Sequence, residues 1–437
     1  MNEVKANTKP IKNVPISKTK DPAKAFFFLR HNNDIDHITP ILYKWLSTES
    51  IPTEIIIYTD RGFLDDERIN FLKQFGNAKI SYINDFFKKK DIPYWFNRFY
   101  FKYDTKFDNL FKKHVFIRRK VDEIIQKIAK RIFKDTKKGI VAFDWTVTYF
   151  VQQMVKIAKE KGFMTVSLPH GDRPFANFME TTNDLDYSCL DRYKPYKIFD
   201  YVVVPNALCS KRYENYMNKY SIKILGSPRY CKEWMNICSK FIPQFDLAES
   251  KNKLKIVFFL RNMGFPIFWE EVVRTIKLIT QFPEVYLIVK HHPRNKQAKK
   301  LTKKLIGIYP DIKRKLDKNL KFMYSKGNSS ALVNWADLVI DLGTSATWEA
   351  IGTNKSVLMP EYLHANCSTV AYYIKGSEVK CRDELYDAIK GFIQNKKWNI
   401  YDETERKRFI KEVIDVPDDK VLERYCKFLK ICLDGEK

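Results

Sequence analysis

Short apolar runs, each closing on a polar loop and followed by residues at helical spacing, recur along the whole chain. The first run, Ala25–Leu29 in "KAFFFLRHNND", gives way to a polar turn and then to helical spacing from about Ile38. "TEIIIYTD" repeats the pattern as a second buried strand ending at Thr59 and Asp60, and "ERINFLKQFGNAKISYI" supplies a helix and a third strand. A long helix is expected over roughly 115–134. "GIVAFDW", "FMTVSLPHGDRP", "FDYVVVPNALC" and "SIKILGSPRY" then complete a first sheet of six or so strands, with the helix "TVTYFVQQMVKIAKEKG" between the first two. Continuous apolar runs separated by helices imply βαβ units and a parallel sheet covered on both faces.

The register restarts after the polar stretch "FDLAESKNK", which reads as an interdomain linker. "NKLKIVFFLRNMG", "EVYLIVKHHPR", "NLKFMYSKG", "DLVIDLGTS" and "KSVLMP" are strands, with helices at "WEEVVRTIKLITQF", "SSALVNWA" and the start of "TWEAIGTN". Two βα-rich halves of similar size predict an α/β protein of two Rossmann-like domains with parallel sheets facing a central cleft. In such sheets ligands bind at the carboxyl ends of strands, so the loops just after strands carry the candidate chemistry.

A chain of 437 residues suits two domains. Its formal charge of +26 suits an anionic partner, such as phosphorylated substrates, an acidic membrane surface or nucleic acid, and equally a merely lysine-rich solvated surface. Eight scattered cysteines without a CxxC pair point to reduced thiols in a cytoplasmic setting, with neither a disulfide framework nor a zinc site. No run approaches the ~18–20 apolar residues of a bilayer span. The polar, basic first 23 residues read as a flexible tail without the apolar segment of a secretion signal. GxGxxG, GxxxxGK[ST] and HExxH are all missing, which removes the usual signatures of dinucleotide oxidoreduction, P-loop phosphoryl transfer and zincin hydrolysis.

Five of the seven histidines fall in or beside strand exits. In "LRHNNDIDHITP", His31, Asp34, Asp36 and His37 occupy the loop and helix start after the first strand. His37 beside a carboxylate is a candidate general base, although Asp34 or Asp36 could equally cap the helix. His170 in "SLPHGDRP" stands beside Gly171, Asp172 and Arg173, a second candidate for the reacting centre, and Asp144 in "AFDW" ends another strand. Gly226 and Ser227 in "ILGSPRY" could offer donors to a phosphate or simply close a turn. Arg261 follows the first strand of the second half.

The stretch "YLIVKHHPRNKQ" ends a strand with His291, His292, Pro293 and Arg294, imidazole and guanidinium donors suited to a pyrophosphate or a base edge. Adjacent histidines diverge and no carboxylate or cysteine stands at ligand spacing, which argues against a metal and for only one of the pair entering the site. In "DLGTSATWEA", Thr344 and Ser345 sit where a helix begins, an anion-binding arrangement, and Glu349 lies one turn on, within reach of ribose hydroxyls. A plain helix cap is the alternative.

On these motifs the chain resembles the GT-B glycosyltransferase superfamily. It is similar to bacterial capsule-polysaccharide (Kdo-type) transferases and CDP-glycerol glycerophosphotransferases, through His292–Pro293, through Thr344–Ser345 with Glu349, and through His170–Gly171. The resemblance spans about residues 25–415. It implies an N-terminal acceptor domain over 24–245, a C-terminal nucleotide-donor domain over 250–415, and a final helix over 416–437 returning to the first domain. It also implies a metal-independent enzyme that needs no cofactor. The expected reaction moves a sugar or polyol phosphate from a CMP-, CDP- or UDP-linked donor to a surface-polysaccharide or lipid-linked acceptor. His170, His37 and Asp144 would serve the reaction. Arg261, His291, His292, Arg294, Thr344, Ser345, Glu349, Gly226 and Ser227 would hold the nucleotide. Gly343, where related chains often have an acidic residue before a Ser–Ser pair, leaves base and sugar open.

The aromatic and cationic segment 86–114 is either a subdomain core with a basic rim or a peripheral contact with an anionic membrane, at the inner face of the cell membrane. Two other readings stand beside the transferase. One is a nucleotide-sugar 2-epimerase of the same fold, which needs no acceptor. The other is a non-catalytic polyanion- or RNA-binding protein, suggested by charge but lacking any nucleic-acid-binding motif, so that no nucleic-acid partner is expected.

Overall fold

In the computed structural model, residues 23–87, 115–144, 147–169, 178–179, 197–241, 245, 247–261, 267–292, 304, 307–316, 318–324, 329–415 and 418–435 are described. The chain divides into two compact units, one comprising 1–172, 186–241 and 415–437 and the other 173–185 and 242–414.

In the first unit the strands are β1 (Lys24–Leu29), β2 (Thr53–Ile57), β3 (Ala78–Tyr82), β4 (Gly139–Phe143) and β5 (Met164–Ser167). The two-residue β6 (Phe178–Met179) belongs to the second unit, and β7 (Tyr201–Val204) and β8 (Ile222–Ile224) complete the first. Every pairing is parallel and the order is β3-β2-β1-β4-β5-β7-β8. The strands read as unbroken apolar runs because both faces are covered: β2 and β4 are buried at every position. On one face Phe28 stacks on Phe143, centroids 4.5 Å apart, and Phe26 meets Phe133 edge-on at 5.0 Å. Helix Val115–Ile132 packs its apolar stripe into this cluster and leaves Arg118, Arg119 and Lys120 exposed.

Helix Val421–Asp434 closes the first unit, docked on the β8 exit. The Tyr425 hydroxyl donates to the Gly226 carbonyl at 2.9 Å and Arg424 Nε to the Leu225 carbonyl at 3.2 Å. Gly226 has φ +90°, and a Cβ there would lie 3.0 Å from the Asp415 carbonyl and 3.1 Å from Val421 Cγ2. Glycine is required by both the backbone and the closeness of the helix.

The second unit holds β9 (Leu254–Phe259), β10 (Val285–Lys290), β11 (Leu320–Met323), β12 (Leu338–Asp341), β13 (Ser356–Pro360), β14 (Asn366–Cys367) and β15 (Glu378–Val379). Its main sheet runs β11-β10-β9-β12-β13-β15, all parallel, and β14 pairs antiparallel with β6. The two-residue β15 has no apolar run to betray it in the sequence. The expectation of two Rossmann-like α/β domains therefore holds, each with the strand order 3-2-1-4-5 and onward. In each sheet the order reverses beside its first strand, between β1 and β4 and between β9 and β12. That reversal leaves a crevice at the carboxyl ends, where neighbouring connections diverge to opposite faces. Among the described residues no helix is long and apolar enough to cross a membrane.

Candidate functional site

At the first reversal, the register that sets Phe27 opposite Ala142 carries Arg30 and Asp144 off the sheet side by side. Arg30 Nη2 lies 3.8 Å from the buried Asp144 carboxylate and 2.8 Å from His31 Nε2. His31 is the N-cap of helix Asn32–Thr48, and Asp34, three residues on, accepts from the Arg30 and His31 amides to close a capping box. Asp34 does more than cap. Its Oδ1 lies 3.3 Å from His31 Nδ1, and the Asp144 carboxyl is among its neighbours. Burial pushes the Asp34 carboxyl above the usual carboxylate range, against the opposing pull of His31, Arg30 and Asp144.

Asp144 is thus brought together with Arg30, His31 and Asp34. His37 is set elsewhere on the helix, buried edge-on against Tyr230 at 6.2 Å. Its neighbour Asp36 pairs with Arg68 and with Arg229 at 3.2 Å. Burial alone would raise the Asp36 carboxyl, but Arg229 and Arg68 outweigh it and hold the group below its usual value. Gly226 and the buried Ser227 lie under the C-terminal helix, and Gly226 has the packing role described above. His170 and Arg294 lie outside the described residues, as do residues 88–114 of the aromatic and cationic segment.

At the second reversal, Asp341 ends β12 and is fully buried. It fastens the following turn: Thr344 donates to it through both its amide and its hydroxyl, each at 2.6 Å, and Gly343 turns the chain with φ +83°. The Thr344 oxygen also accepts from the Ala346 amide at 3.3 Å, so Thr344 rather than Ser345 caps helix Ala346–Gly352. Burial raises the Asp341 carboxyl, opposed by Thr344, Thr347 and the charge of Arg261 at the β9 exit. Glu349 is buried and accepts from the Ser330 hydroxyl at 2.9 Å.

The β10 exit separates the histidine pair. His291 is buried, stacked on Tyr324 with centroids 4.7 Å apart, and burial together with Lys290 drives its imidazole down to about 4. It is a neutral ring in the packing. His292 is half-buried. Lys290 is only 3% exposed and burial lowers its ammonium to about 8. The register Lys290–Phe259–Asp341 puts it in the row of Asp341, with β9 between them. Arg261, Lys290, His292 and Ser345 thus gather cationic and donor groups at one sheet end, with two buried acids, Asp341 and Glu349, among them. An anion with hydroxyl groups suits that set. Among the described residues no group of three or more His, Cys, Asp or Glu is arranged to hold a metal ion.

Two residues not singled out as candidates in the sequence also stand at these strand exits, His31 beside Asp144's neighbour Arg30 and the buried Lys290. His31 directly follows Arg30 at the end of the first strand, and Lys290 is the last residue of an otherwise apolar strand.

No family model matches the chain, and no characterised protein matches it by sequence. By structure it is similar over nearly its whole length to several solved proteins. A UDP-N-acetylglucosamine 2-epimerase matches with a TM-score of 0.60 at 12% identity, covering 96% of this chain and 98% of that one. The UDP-GlcNAc 2-epimerase of Neisseria meningitidis, bound to UDP-GlcNAc, matches at 0.57 and 10%, covering 94% and 100%. MnaA of Staphylococcus aureus with UDP matches at 0.58 and 12%, covering 94% and 97%. These likenesses establish a GT-B-like fold. They also correct the expectation of a glycosyltransferase, and of kinship with capsule or CDP-glycerol transferases, because the structures sharing the fold end to end include 2-epimerases. The physical reason is that His–Pro and hydroxyl-pair motifs at strand exits describe how a nucleotide is held. They do not encode what happens to its sugar.

Proposed function

We propose that the chain is a nucleotide-sugar 2-epimerase, with a UDP-linked N-acetylhexosamine as the first substrate to test. The reading is carried by the end-to-end likeness to UDP-GlcNAc 2-epimerases, which leaves neither structure with a large unmatched part. The chemistry of the two strand-exit groups supports it. Inverting C2 of a sugar requires breaking its C2–H bond, and that hydrogen is weakly acidic while the nucleotide stays on C1. Release of the nucleoside diphosphate as the proton leaves resolves the difficulty, so the enzyme needs both an anion cradle and a proton acceptor.

Arg261, Lys290, His292 and Ser345 are assigned to the diphosphate, with Arg294 beside them in the sequence, and Glu349 to ribose hydroxyls. Cationic groups in a poorly solvated site stabilise the departing charge, and stabilisation of this kind supplies much of the rate enhancement in many enzymes. Proton handling is assigned to the group around Asp144, with His170 as a further candidate. Loss and return of a proton at C2, with departure and return of the nucleoside diphosphate at C1, transfers no hydride, so a reaction by this route draws on no redox cofactor, and it uses no acceptor. The test is to incubate the protein with UDP-GlcNAc alone and separate the products. A C2 epimer supports the proposal; unchanged substrate, or free UDP as the sole product, contradicts it.

A further inference from the structure

The charge of the first unit is divided between the two faces of its sheet. In the order β3-β2-β1-β4-β5, the chain steps one way from β1 to β3 and the other way from β3 to β5. Right-handed crossovers put connections that travel in opposite directions on opposite faces. Helices Val115–Ile132 and Tyr149–Glu160 accordingly pack together on one face, and helices Asn32–Thr48, Glu67–Leu72 and Val421–Asp434 on the other. Residues 115–161 carry 12 Lys and Arg against five Asp and Glu. Residues 32–87 carry five against nine, and residues 418–435 four against four. A uniformly lysine-rich surface would not divide in this way.

The surplus lies at the surface. Eleven of the 12 cations in residues 115–161 are exposed, against three exposed acids. Those acids, Glu123, Asp135 and Glu160, stand 3.4–4.0 Å from Lys120, Lys134 and Lys156, so most of the cationic charge is left over. Helix Val115–Ile132 turns Val121, Ile125, Ile128 and Ile132 into the core. Its outer side presents Phe116, Arg119, Lys127 and Lys130 in one stripe at helical spacing. Phe116, at the head of the stripe, is 73% exposed.

We infer that this face docks the protein on an anionic lipid bilayer. Cations spread along the outer surfaces of two packed helices match a plane of acidic headgroups. Single-stranded nucleic acid is held instead in grooves that stack its bases on aromatic rings. A projecting phenylalanine among lysines gains from a partner with an apolar layer beneath its charged surface. The apolar stripe of the helix is already taken by the core, so the contact stays at headgroup depth. Acids outnumber cations on residues 32–87 of the opposite face, which orients the molecule with the Val115–Ile132 helix towards the membrane. The docking face is independent of the epimerase reading.

The test is co-sedimentation of the full chain with vesicles of phosphatidylcholine containing about 30% phosphatidylserine, beside vesicles of phosphatidylcholine alone. The protein should bind the anionic vesicles only, and binding should fall steeply between about 50 and 300 mM salt as the charges are screened. Each cation near the surface is worth roughly fivefold in affinity. Arg119→Glu, Lys127→Glu and Lys130→Glu together should therefore weaken binding by at least about 100-fold. Phe116→Ala should weaken vesicle binding several-fold and leave retention on heparin, a polyanion without an apolar layer, unchanged. Thermal melting like the wild type in both variants keeps the fold out of the comparison, and the wild-type arm decides alone should a variant unfold. No binding to anionic vesicles at low salt, equal binding to neutral ones, or capture of RNA in place of vesicles overturns the proposal. So does wild-type vesicle binding in the triple variant, and wild-type vesicle binding in Phe116→Ala overturns the choice of a bilayer over a soluble polyanion.

Discussion

Lys290 is the residue whose cost to the fold is easiest to work out, and Lys290→Met tests why it is kept. Burial lowers its ammonium from the ordinary 10.5 to about 8. At 1.36 kcal/mol per pH unit, holding that charge in the fold near neutrality costs about 3 kcal/mol. The sign follows from the lowered folded value. The group favours the native state above 10.5, and that contribution is lost as pH falls through 8. Methionine keeps most of the apolar stem and removes the charge. At pH 7 the variant should melt about 6–12 °C higher, at about 2–4 °C per kcal/mol for a unit of this size. The gain should be full below pH 8, shrink between 8 and 10.5, and vanish above. Scanning calorimetry at pH 7 and 9.5 reads this directly, and UDP titration should show weaker binding in the same variant, because stability is traded against function. A melting temperature that is unchanged or lower at pH 7, or a gain that ignores pH, refutes the reasoning.

Two further substitutions separate packing from binding. Gly226→Ala forces a side chain into a φ +90° position 3.0 Å from the Asp415 carbonyl and should cost about 2 kcal/mol in urea unfolding. It should leave UDP binding unchanged, and a large loss of affinity without destabilisation would restore the phosphate role read from sequence. Thr344→Val keeps the amide bond to Asp341 but deletes the 2.6 Å hydroxyl bond to a buried acid, worth about 1.5–3 kcal/mol of order in the turn. UDP affinity should fall about 10- to 100-fold by calorimetric titration, and unaltered affinity would make Thr344 a structural fastener alone.

Much of this architecture was legible in the chain. "KAFFFL", "TEIII" and "VYLIV" are too apolar for anything but strands buried on both faces, and "GIVAF" and "DLVID" announced the strands that end at Asp144 and Asp341. What periodicity could not give is which strand exits become neighbours. Asp34 reads as a helix cap because capping is local. Its contact with Asp144 spans more than a hundred residues and exists only because β1 pairs with β4. His291 and His292 look equivalent in sequence, yet the pleat and the stacking on Tyr324 bury one and leave the other half-exposed. Gly226 left a phosphate loop and a closing turn both open in sequence, because the helix packed beside it comes from the far end of the chain. The reaction was misread for a related reason: short cradle motifs report the nucleotide, which transferases and epimerases hold in common.

The most direct measurement is proton NMR of UDP-GlcNAc incubated with the protein in D2O and no acceptor. An epimerase working as proposed yields the C2 epimer with deuterium at C2, and deuterium also enters the recovered substrate. Substrate recovered with its C2 proton intact, under conditions where the protein binds UDP, would contradict the proposal.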